Sequence, residues 1–163
     1  MLIPENLIPI PVGSPRLGNT AITEYINVSE AQEVYIVVLS TNAAATDTVC
    51  TPLKAYAAAG TGSAVLGFNV PIYAGVAVAG AALTLTRQTD AANYTTDATA
   101  GVHEVIFKID PTALGWEATV PSLGEYKYLS CTVDGDVADY VACTFYVVPR
   151  YQSDTIATTR WIV

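Results

Sequence analysis

Charge is scarce in this sequence: Lys, Arg, Asp and Glu make up 13% of its 163 residues, about half the usual share. What charge there is leans one way. Seven Lys and Arg stand against fifteen Asp and Glu, a net charge of −8, so a phosphate backbone would be repelled and nucleic acid is not an expected ligand. Histidine and methionine occur once each, which leaves little material for acid–base chemistry. His103 lies in a strand-like run, and no G-x-S-x-G elbow presents a nucleophile, so His103 reads as a structural residue and no enzyme is expected. Gly60-Thr-Gly62-Ser lacks the lysine and following helix of a phosphate loop, and its glycines read as turn residues at positive φ.

Cysteine is also sparse. Cys50, Cys131 and Cys143 form no C-x-x-C pair and are too few for a disulfide framework, so buried, reduced thiols are expected. A disulfide between Cys131 and Cys143 stays open, because the two sit symmetrically about Val137 between runs that could form a hairpin. Asp134, Asp136 and Asp139 lack the spacing and closing Glu of a calcium loop and read as solvated turn carboxylates. No metal and no cofactor are expected.

A basic leader is missing as well, and the apolar start is broken by Pro4, Pro9 and Pro11, which does not read as a secretory signal. Between Lys54 and Arg87 there is no formal charge. Gly67, Asn69, Pro71, Gly75 and Gly80 punctuate that stretch, so short strands and turns are expected rather than a membrane helix. Its lack of charge also fits a face covered by another chain.

What is present is a series of strand signals. Glu33–Ser40 is a β-branched and aromatic run bounded by polar turn formers and reads as a buried strand. Thr48–Tyr56 carries Pro52, which demotes it to an edge or a bulge. Val102–Asp110 alternates, with Val105, Phe107 and Ile109 on one face. Tyr126–Val133 and Val141–Val148 flank Asp134-Gly-Asp136, a turn signal for an antiparallel pair. The expected fold is an all-β antiparallel β-sandwich, immunoglobulin-like or jelly-roll-like. Residues 1–30 are expected as an extended N-terminal arm and lead-in, 31–152 as the sandwich and 153–163 as a C-terminal strand or tail.

Two segments offer candidate partner contacts. The proline-rich start presents Leu2, Ile3, Leu7, Ile8 and Ile10, to be packed on its own domain or docked on a neighbouring subunit. The end carries Arg160 and Trp161, residue types that often anchor interfaces, on either a closing strand or a reaching tail. Ten tyrosines suit pleated surfaces and wet interfaces.

Several motifs in order carry a resemblance: Lys54 to Leu66, Val105 to Asp110 with Leu114, Tyr126-Lys-Tyr128, and Phe145 to Tyr151. Together they resemble the small virion proteins of tailed bacteriophages, among them head decoration, or cement, proteins. The likeness spans roughly Val34 to Gln152, while Pro52, the uncharged stretch and Cys131 belong to no shared pattern. It implies a structural, non-enzymatic protein with no catalytic residues to carry over. It implies the major capsid protein as partner, a location on the outer capsid surface of the virion, and a homo-oligomer, often a trimer. Alternative expectations are a tail, neck or fibre-associated virion protein, or a surface adhesion or carbohydrate-binding module.

Overall fold

The computed structural model describes residues 7–12, 15–20, 22–42, 46–115 and 124–150. These residues form twelve strands: β1 (Ile8–Pro11), β2 (Arg16–Leu17), β3 (Ile26–Asn27), β4 (Ala31–Asn42), β5 (Val49–Ala55), β6 (Ala64–Val65), β7 (Ile72–Ala77), β8 (Thr86–Arg87), β9 (Tyr94–Thr95), β10 (Gly101–Ile109), β11 (Tyr128–Asp134) and β12 (Tyr140–Pro149). A seven-stranded sheet runs β1-β12-β4-β10-β7-β8, with β2 also on β12, and a five-stranded sheet runs β3-β11-β5-β6, with β9 also on β5. Every pairing is antiparallel. The two sheets enclose one core and the fold is a β-sandwich.

Alternation builds that core. β4 turns Val34, Ile36 and Val38 inward, β10 adds Val105, Phe107 and Ile109, and β12 adds Val141, Cys143, Phe145 and Val147. Facing them, Leu129, Cys131 and Val133 come from β11 and Cys50 from β5. At the Gly60–Ser63 turn, Gly60 and Gly62 have the expected positive φ, and Ser63 N–H donates to Gly60 O.

Four expectations change. The described part of the first thirty residues is no separate arm: β1, β2 and β3 belong to the sheets, and Ile8 and Ile10 pack into the domain's own core. β11 and β12 do not form a hairpin, because the chain crosses from the five-stranded to the seven-stranded sheet between them. Asp139, expected in solvent, is fully buried. Its carboxylate accepts from the Asp136 N–H at 3.1 Å and from Thr46 Oγ1 at 3.4 Å, which holds the crossing loop closed. Pro52 sits within β5 rather than on a free edge, opposite Cys131. On its other side β9 pairs only Val49 and Cys50 and β6 only Leu53 and Lys54, so the missing donor falls where that ladder is interrupted.

Candidate binding surface

The outer face of the seven-stranded sheet is unlike the water-facing side of an ordinary sandwich. A half-buried strand alternates apolar and polar, whereas near-continuous apolar runs belong to strands covered on both sides. β4 has such a run, and among the described residues only one of its sides is fully covered: Val34, Ile36 and Val38 are buried, while Tyr35 and Val37 are half-buried and Leu39 is exposed. The expected buried strand is buried on its core-facing side. Across the sheet the register aligns Leu17, Tyr140, Thr41, Val102 and Ala77 in one outward row. Thr144, Val37, Ile106 and Tyr73 form another. Leu39 is 42% exposed, Val102 43% and Tyr140 59%.

The uncharged stretch extends this face. Residues 78–85, between β7 and β8, are mostly exposed, with Val78 and Leu85 among the exposed apolar side chains. They lie against the sheet at Gly75, where a Cβ would stand 2.3 Å from the carbonyl oxygen of Thr84. Only glycine allows that approach.

Charge on the face is sparse and mostly paired at its margins. Lys108 Nζ meets Glu33 Oε1 at 2.8 Å and lies 5.8 Å from the centroid of the Tyr35 ring, while the Tyr35 hydroxyl donates to Glu33 Oε2 at 2.8 Å. The hydrogen bond from Lys108 holds the Glu33 carboxyl below its ordinary range, against burial, which opposes it. Arg87 covers the Tyr73 ring and pairs with Asp90. Glu104 differs. It sits between Leu39 on β4 and Gly75 on β7, has no ion-pair partner among the described residues, and burial pushes its carboxyl above the usual range.

No family model, curated protein or solved structure matches the chain.

Of the residues expected at partner contacts, Leu7 is half-buried next to β1, and Ile8 and Ile10 are 4% and 2% exposed inside the chain's own core, so neither is free to anchor a neighbour. Leu2, Ile3, Arg160 and Trp161 lie outside the described residues, as does the expected tail at 153–163. The sequence reading places no partner contact on the outer faces of β4, β10 and β12, although β4 carries a continuous apolar run.

A polar cleft of about 270 Å3 opens between the sheet edges, lined among others by Gln88, Tyr94, Asp97 and His103. His103 is buried, and its Nε2 lies 2.8 Å from Thr99 O, which fits the structural role expected of it. Beside the cleft, Asn42 donates through Nδ2 to Thr46 O, and its Oδ1 accepts from Thr48 Oγ1, so the polar end of the core is internally satisfied. Among the described residues no group of three or more His, Cys, Asp or Glu is placed to hold a metal ion, and no helix is long and apolar enough to cross a membrane.

Proposed function

We propose that this chain is a non-enzymatic structural protein that works by laying the outer face of its seven-stranded sheet on a larger protein surface. The surface to which its sequence resemblance points is the outside of an expanded phage capsid, built from the major capsid protein. The observation that carries the reading is the apolar, sparsely charged face running from Leu17 and Tyr140 across Thr41 to Val102. Nothing within the described chain covers it.

Its size suits the task. Five strand positions spaced about 4.8 Å apart, each with about eight residues rising about 3.4 Å, present roughly 650 Å2 in projection. A stable interface takes about 800 Å2 of accessible surface per partner. Flat sheet faces with aromatic side chains bind a flat or gently curved surface without a deep pocket, and repetition over a symmetric shell multiplies modest contacts.

Decoration predicts hundreds of copies of the chain per purified particle by quantitative mass spectrometry. It also predicts that adding the purified protein to expanded shells raises their melting temperature. A handful of copies would move the chain to the tail or neck. Absence from particles, with unchanged shell melting at saturating protein, would overturn the virion reading.

A further inference from the structure

Glu104 is the one feature of the outer face that an apolar docking surface does not explain. Its cross-strand neighbours are Leu39 and Gly75, and its same-face neighbours along β10 are Val102 and Ile106. None can donate a side-chain hydrogen bond. The first atom that a Cβ on Gly75 would meet is the carbonyl oxygen of Thr84, which is also an acceptor. Among the described residues, the cations on this face are committed elsewhere. Lys108 lies four residues along the strand, about 13 Å away, and is bound to Glu33, while Arg87 is bound to Asp90 at the sheet edge.

Covering the face would strip the remaining water from this carboxylate. A buried charge is tolerated only when paired, and leaving it alone costs several kcal/mol. A second copy of the same chain does not solve the problem. Stacking this face on itself across a two-fold axis would bring two Glu104 carboxylates into a region where the described residues offer no uncommitted cation, between molecules that each carry −8. Net repulsion between two such faces favours a different protein as the source of the missing charge.

Resting on the reading of this face as the docking surface, we propose that its partner presents an arginine or lysine set among apolar side chains, and that this cation pairs with Glu104. Arginine suits the site better, because its fork can grip both carboxylate oxygens while its flat, weakly hydrated plane packs on the surrounding apolar groups. Glu104 then supplies register and selectivity, and Leu39, Val102, Tyr73 and Tyr140 supply contact area.

The test is cosedimentation of the full chain with purified expanded capsids, comparing wild type with Glu104→Gln, Glu104→Lys and Val102→Glu. All four are first checked for matching melting temperatures. The expected result is binding by wild type, affinity weakened about 30-fold or more in Glu104→Gln, and no detectable binding by Glu104→Lys or Val102→Glu. If only Val102→Glu loses binding, the face is the docking surface and the cation is overturned. If every variant binds as wild type does, the docking face itself is wrong and the proposal falls with it. A stable dimer of the purified chain that Val102→Glu splits would make a second copy the occupant, which also overturns the proposal. Wild type that does not bind shells removes the capsid reading together with this partner. Should Glu104→Lys fail to fold, the neutral, nearly isosteric Glu104→Gln still decides the question.

Discussion

Cys50, Cys131 and Cys143 come from β5, β11 and β12 and are all buried, free thiols in the shared core. The disulfide left open by the sequence is not formed. A hydrogen bond with Cys143, and then burial, raises the Cys131 thiol well above its ordinary value. Burial, with a smaller contribution from Cys143, pushes the Cys50 thiol up to about 12. Since the thiolate is the reactive species, neither group reacts near neutral pH while the fold is closed. Ellman's reagent at pH 8 is therefore expected to find no fast-reacting thiol in the folded protein and three after denaturation in guanidinium. A thiol that reacts rapidly in the folded protein would show that the core opens at that cysteine. The same residues show where local reading stops. Burial of three cysteines was legible from their type and the compartment-neutral spacing, but their convergence depended on which sheet each strand joins.

Strand membership is settled at the scale of elements, and it separates what could be read from what could not. β4, β10 and β12 were visible because alternation or β-branched runs persist over eight or nine residues. Strands of two residues, such as β2, β6 and β8, are too short to show a period, and they form because longer neighbours offer them an edge. Asp134-Gly-Asp136 marks a change of direction, but a turn signal does not say whether the chain returns to the same sheet or crosses to the other. Here buried Asp139 and the bond from Gly18 N–H to Asp139 O draw the loop across. The outer face was half legible: the double-sided apolar run in β4 fits a second covered side, and the described residues supply no such cover. Gly75 is the element-scale test of how the uncharged loop is held against that face. Gly75→Ala places a methyl group 2.3 Å from the Thr84 carbonyl oxygen, a backbone atom that cannot swing aside. The expected cost is about 1–3 kcal/mol of stability in chemical denaturation, as for other overpacked sites. An unchanged midpoint would show that the segment before β8 is not seated on β7.

For the whole molecule, the first segment decides how attachment and stability are divided. An arm that serves a neighbouring subunit can be removed without harming the fold, whereas a strand that closes the core cannot. β1 pairs residue by residue with β12 from Ile8 opposite Val147 to Pro11 opposite Thr144, and it contributes two buried isoleucines. Deleting residues 1–11 strips those side chains from the core, at about 1.5–3 kcal/mol each, and leaves the edge of β12 open over four residues. Against a typical stability of about 5–15 kcal/mol, a fall in melting temperature of about 10 °C or more is expected by differential scanning calorimetry. Because the outer face of the seven-stranded sheet does not include Ile8 or Ile10, whatever folded protein remains at low temperature should still bind its partner surface. Unchanged melting with lost attachment would be the opposite pattern. It would return the segment to the role of an intersubunit arm and take the docking function away from the sheet.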